Sequence, residues 1–184
     1  MTVKTFTSGE VLTASDTNTY LNNGGLVYVA SGTFSAANSH TFTGGFTSTY
    51  TNYRLIVDLT GTATSEIRLQ LSIAGTPTAT GYGYGIHYTA FASATDSYTN
   101  AGNTTSFLAA YVDNAVTRTQ FSVDIYQPQT TSQKGFVVQG TGQQYANYGS
   151  GRLASNSAHN GFTIFQVAAG NIAGTYWLYG YRIA

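Results

Sequence analysis

The chain has 184 residues, enough for one substantial core or a core with a short arm, and its seven Lys and Arg against seven Asp and Glu give a formal net charge of zero. Only 8% of residues are charged while 14% are aromatic, and the basic residues are scattered, which excludes the electrostatic footprint of a protein that tracks a phosphate backbone, so no nucleic-acid partner is expected. The absence of cysteine rules out disulfides and thiolate metal sites, and no apolar run approaches the ~18 to 20 residues that cross a bilayer as a helix, so no membrane insertion is expected.

In chain order the first predicted element is a helix. Thr13 is placed as N-cap, Asp16 returns a carboxylate to the free amides of the first turn, and Asn22-Asn23-Gly24-Gly25 terminates the element. Only about two turns result, too few for a helix that is stable alone in water, so the segment must dock on something. The division expected is an anchoring arm at 1–25, with Phe6, Val11, Leu12, Tyr20 and Leu21 as docking candidates, and a β domain at 26–184. The N-terminus lacks the charged and apolar regions of a signal peptide, so a soluble product is expected.

The residues Phe6, Gly9-Glu10-Val11-Leu12-Thr13-Ala14, Asp16, Asn18, Tyr20 and Leu21 resemble the opening of virion structural proteins of tailed bacteriophages. The run Phe46 to Val57, with Asn52-Tyr53-Arg54 at its centre, is similar to the β domains of such proteins. The resemblance is clear over the first third of the chain and diffuse beyond it. It implies a non-enzymatic structural protein assembled in the bacterial cytoplasm into the virion. Its partners would be other phage virion proteins and copies of itself, in tail, tail-fibre or capsid-decoration position.

From Asn52 the pattern alternates, with Leu55, Val57 and Leu59 on one face and Arg54, Ile56, Asp58 and Thr60 on the other. Glu66 to Ala74 repeats it with Ile67, Leu69, Leu71 and Ile73 inward, and the two runs are expected to pair as antiparallel neighbours. Further runs at 26–31, 39–43, 83–92, 106–112, 119–127, 135–141, 152–155, 161–168 and 175–183 bring the total to about ten short strands without helical patterns between them. That spacing predicts an all-β, antiparallel sandwich of jelly-roll type behind the arm. Asn160-Gly161 is the strongest hairpin signal, and Pro77 and Pro128 are assigned to connections. The last strand carries Trp177, Tyr179 and Tyr181 on one face and Tyr176 and Leu178 on the other, so it is either a core strand or a subunit contact. On the second reading Tyr176, Trp177, Tyr179 and Tyr181 form the interface of a homo-oligomer, a trimer being the symmetry expected of a jelly roll with aromatic sheet faces at its axis.

Two aromatic clusters suit a neutral sugar, since flat rings stack on the apolar face of a pyranose and nearby hydroxyls and amides fix its orientation. They are Tyr82, Tyr84, His87 and Tyr88, and Tyr145 and Tyr148, with a bacterial surface polysaccharide as the partner. Twisted strands with solvated hydroxyls would produce the same pattern. His40, His87 and His159 are far apart and the acids are isolated, so no metal and no cofactor are expected. A glycosidase would need two acids ~5 to 9.5 Å apart. The only pair on offer, Asp58 and Glu66, is accounted for by cross-strand ion pairs with Arg54 and Arg68. A carbohydrate-binding module and, last, a polysaccharide depolymerase remain as alternative readings.

Overall fold

The computed structural model describes residues 7–11, 13, 25–112 and 118–182. The predicted helix falls almost wholly outside these, as do Phe6, Leu12, Tyr20 and Leu21; among the described residues there is no helix, and Val11 is 79% exposed. The regular structure there is all strand, in two antiparallel sheets joined by turns and loops.

The larger sheet has eight strands in the order β1 (Leu26–Ala37), β13 (Ile172–Tyr181), β3 (Asn52–Gly61), β9 (Thr119–Tyr126), β10 (Lys134–Thr141), β11 (Tyr145–Leu153), β6 (Tyr82–Ala90), β7 (Thr95–Thr104). The smaller has β2 (Ser39–Phe42), β12 (Gly161–Gln166), β4 (Ser65–Ile73) and β5 (Thr76–Pro77) in that order, with β8 (Phe107–Val112) also paired to β4. Alternation builds each inner face. Leu55, Val57 and Leu59 of β3, Val123 and Ile125 of β9 and Phe136 and Val138 of β10 point in from the larger sheet. From the smaller sheet they meet Ile67, Leu69 and Leu71 of β4, Phe107 of β8, and Phe162 and Ile164 of β12. Phe107 stacks on Phe136 with ring centroids 4.9 Å apart, and Phe42 meets Tyr176 at 4.3 Å, so the sheets face one another across one core. Burying each such aliphatic or aromatic side chain contributes about 1.5–3 kcal/mol.

The two strands expected to pair, β3 and β4, lie in opposite sheets: the chain crosses over at 62–64, so similar alternation here reports a shared core and not a shared ladder. Ile73, predicted inward, is 40% exposed because it closes the hairpin to β5. That hairpin is where the primed turn sits. Ala74 and Gly75 both have positive φ (49° and 85°) between the paired Ile73 and Thr76, as a type I′ turn requires. Asn160-Gly161 makes no hairpin: Gly161 begins β12, packed so closely on the Phe42 carbonyl oxygen that a Cβ has no room, and the Asn160 side chain instead accepts the Ala74 amide at 2.9 Å. Pro77 lies in the short edge strand β5 and not in a connection. An alanine in the left-handed region is strained by about 1 kcal/mol, so Ala74→Asn should stabilise the protein by up to that amount in urea denaturation. Strand β7 escaped prediction because Thr95–Thr104, with only Tyr98 and Ala101 among polar residues and glycine, has no apolar alternation and is mostly exposed at the sheet edge.

Candidate functional site

The inner face of the larger sheet is consumed by the core, so the chemistry it can offer lies on its outer face. Paired residues in an antiparallel sheet point the same way. Reading the register across the strands therefore gives one continuous outer row, Ser31, Trp177, Ile56, Ser122, Gln139, Tyr148, His87, Tyr98. Trp177 sits near one end of it. At the other end Tyr148 stacks on His87 (centroids 5.3 Å, planes 11° apart), and Tyr98 closes on the same imidazole at 4.8 Å. Tyr148 and Tyr98 are more than half exposed, at 57% and 55%.

Between Trp177 and Gln139 the short side chain of Ser122 leaves a depression of about 540 Å³, lined also by Ile56, Gln120 and Thr141. Its size falls within the usual range for small-ligand sites. Asp58 forms one wall. Its Oδ2 accepts a short bond from Arg118 Nη1 and a longer one from Gln120 Nε2 (3.4 Å), while its Oδ1 is buried with no hydrogen-bond partner. On the neighbouring row Arg54 donates to Asp124 through Nε (2.7 Å) and Nη2 (2.6 Å), and the Tyr181 hydroxyl donates to the same carboxylate at 2.6 Å. Burial alone would raise the Asp124 pKa; the bonds from Arg54 and Tyr181 outweigh it and hold the carboxyl below its ordinary value. The charges beside the depression are therefore paired with one another, while Arg152 and Asp96, on the same face farther along the sheet, bond to the neutral side chains of Gln133 and Thr89.

Strand alternation splits the predicted glycan residues. Tyr82, Tyr84 and Tyr88 are two and four residues apart and turn inward together, while His87 turns outward. Tyr82 is fully buried and its hydroxyl accepts the Leu71 amide across the core at 2.7 Å; desolvation drives its pKa up. Tyr84 is 9% exposed, edge-on to Phe107, with the Arg68 guanidinium 5.2 Å from its ring. Tyr88 and Tyr145 close on Tyr111 of β8 at 5.0 and 5.4 Å, a tyrosine cluster between the sheets. Of the six, only His87 and Tyr148 reach the outer face, because period-two geometry cannot place neighbours in sequence on one surface. Of the four interface candidates, Tyr176 is likewise inward, against Phe42 and Phe162, whereas Trp177, Tyr179 and Tyr181 face out. Tyr179 meets Tyr28 edge-on at 6.1 Å.

The ion pairs expected for Asp58 and Glu66 are also re-sorted. Asp58 binds Arg118, Glu66 binds Arg68 two residues along its own strand, and Arg54 binds Asp124, since β3 and β4 are not neighbours. The polar residues of the depression, Ser122, Gln120, Gln139 and Thr141, were missed. Their signal was present in the alternation of β9 and β10, but only the register across the sheet shows that they converge. No protein-family model and no curated protein matches the chain.

Proposed function

We propose that this chain is a non-enzymatic structural protein of a tailed-phage virion, in which residues 1–25 dock on other virion proteins and the β body is carried outward as a homo-oligomer, with trimeric symmetry. The observation that carries this reading is that the described residues of the arm, 7–11 and 13, are all exposed, while the buried apolar cluster of the described residues runs from Phe34 to Leu178. An exposed stretch in the opening segment suits attachment to another protein, as the resemblance at Phe6 to Leu21 implies.

The jelly-roll assignment rests on strand order. Strands β1, β13, β3 and β9 are consecutive in the larger sheet, and β2, β12, β4 and β8 make the facing set. That order matches two interlocked Greek keys, with β6, β7, β10 and β11 inserted to widen the larger sheet and β5 added to the smaller. Viral capsid proteins and lectins both use that architecture, though architecture alone does not fix function. A tail or tail-fibre position with host-surface contact is preferred here, because the widened sheet offers a broad neutral face; capsid decoration is the second reading, since the same arm could clamp shell subunits. A depolymerase would use Asp58 or Glu66, which lie in opposite sheets and are each engaged by an arginine. Immunogold labelling of intact particles tests the proposal and separates tail from head. Labelled particles together with a trimer in sedimentation equilibrium are expected; unlabelled particles and a monomer at micromolar concentration would overturn it.

A further inference from the structure

We propose that the outer face of the eight-stranded sheet is a binding site for an extended, neutral glycan, which lies across the strands from Trp177 to Tyr148. This deepens the display function and rests on it for biological meaning, but the binding itself is a property of the isolated protein.

Three observations carry the assignment. First, the site has a ring at each end and a polar floor between. Trp177 and Tyr148 belong to the same outward row, separated by four strand spacings, about 19 Å. That span accommodates several linked sugars, and the indole and phenol present flat surfaces on which pyranose C–H faces stack. Second, the floor is chemically unfinished. Asp58 Oδ1 is buried without a partner, and among the described residues the side chains of Ser122, Gln139 and Trp177 make no hydrogen bond within the protein. Two amides (Gln120 and Gln139) and a hydroxyl match the mixed donors and acceptors of a sugar ring, with Asp58 in the wall behind them. A purely apolar occupant would strip water from the Ser122 hydroxyl and the Gln139 amide without replacing its hydrogen bonds, which costs free energy.

Third, the charges beside the depression are paired, Asp58 with Arg118 and Asp124 with Arg54, and Arg152 and Asp96, bonded to neutral side chains, lie on other rows of the face. A cationic or anionic ligand would have to compete with those pairs, whereas a neutral one leaves them intact. An uncharged polysaccharide is therefore favoured over an acidic one. The sheet face could alternatively be buried against a second copy of the chain, and the test below separates that outcome.

Trp177 is the chain's sole tryptophan, so its emission reports on this site and nowhere else. The full-length protein is titrated with short and long neutral oligosaccharides (glucans, galactans and mannans) and with uronate-containing chains of matched length. A saturable change in emission is expected with a neutral chain, stronger for long than for short ones and weak with uronates. In calorimetric titrations Trp177→Ala and Tyr148→Ala should each weaken binding by about tenfold or more. Gln139→Ala, on the solvent side of its strand, should weaken it while leaving the unfolding midpoint unchanged. The proposal is overturned if no neutral chain changes the emission at millimolar sugar, if binding survives Trp177→Ala, or if Trp177 is shielded from quencher in a sedimenting oligomer that Gln139→Arg dissociates. Particle labelling is independent of all these readouts, so failure of the glycan site and failure of the virion reading are distinguishable.

Discussion

Lys134→Met should lower the unfolding free energy by at least about 3 kcal/mol in urea denaturation at neutral pH. Lys134 opens β10 with its side chain turned inward and is 0% exposed, a rare position for a lysine. Its ammonium group donates to the carbonyl oxygens of Thr130 (2.9 Å), Ser132 (2.6 Å) and Ser155 (2.8 Å). Those carbonyls belong to two loops, 127–133 after β9 and 154–160 on the way from the larger sheet to the smaller. The lysine thus clips the crossing chain to a neighbouring turn. Methionine fills the stem's volume but leaves three acceptors unpaired, at about 1–3 kcal/mol for each that stays buried.

Burial pulls the Lys134 pKa below its ordinary 10.5, while the three carbonyls favour the charged form. Between the lowered folded value and the unfolded one, the unfolded chain binds more protons. Stability should therefore rise with pH across that alkaline window, a slope that Lys134→Met would erase. A loss under 1 kcal/mol, or no change in the slope, would mean that water replaces the ammonium and that the two loops do not depend on it.

The second large effect is acidic. Stability should fall by about 3 kcal/mol between pH 7 and pH 4 through His159 alone. His159 is fully buried in the same crossing loop, with Nε2 2.9 Å from Thr78 Oγ1, its backbone amide donating to Pro128 O and its carbonyl accepting from Gln129 Nε2. Desolvation, then the nearby Lys134 charge, depresses its pKa from 6.5 to about 4, against opposing bonds from the backbone at Ser157 and Pro128. Because the folded value lies below the unfolded one, stability is fully present above pH 6.5 and is lost as pH falls towards 4. His159→Gln should flatten that dependence while costing some stability at neutral pH, and urea midpoints at the two pH values measure both. An unchanged acid slope in the variant would place the titrating group elsewhere.

Lys134 and His159 show what the sequence could and could not reveal. Neither stood out, because a lysine at a strand start and a lone histidine in a loop read as surface residues; only the three-dimensional crossing of 154–160 over 127–133 puts them inside. By contrast Leu55, Val57 and Leu59, and Ile67, Leu69 and Leu71, were legible as inward residues, since period-two alternation is a local property that burial on one face imposes directly. Which strands pair is not local. The same alternation on β3 and β4 suggested neighbours, yet they lie in facing sheets, because the connection at 62–64 crosses between the layers.

The candidate site followed the same division. Tyr82, Tyr84 and Tyr88 looked like a binding cluster because they are close in sequence, but their even spacing on one strand puts all three on the inner face, apart from His87. The row from Trp177 to Tyr148 draws its members from β13, β3, β9, β10 and β11, so no sequence window contains it. Asp58 appeared as half of an ion pair, correctly in kind, with the wrong partner; Arg118 lies 60 residues away just before β9. Chain segments that approach only through topology leave no periodic trace.

The central proposal is that a β body is held to a particle by its N-terminal arm with the broad sheet turned outward. A density map of the intact virion, with this chain located by a bound antibody fragment, addresses it most directly. The account predicts three copies of the body outside the particle, joined to it through density continuous with residue 25, and the Trp177 face open to solvent. Bodies buried among other virion proteins with that face covered, or the absence of the chain from the particle, would contradict it.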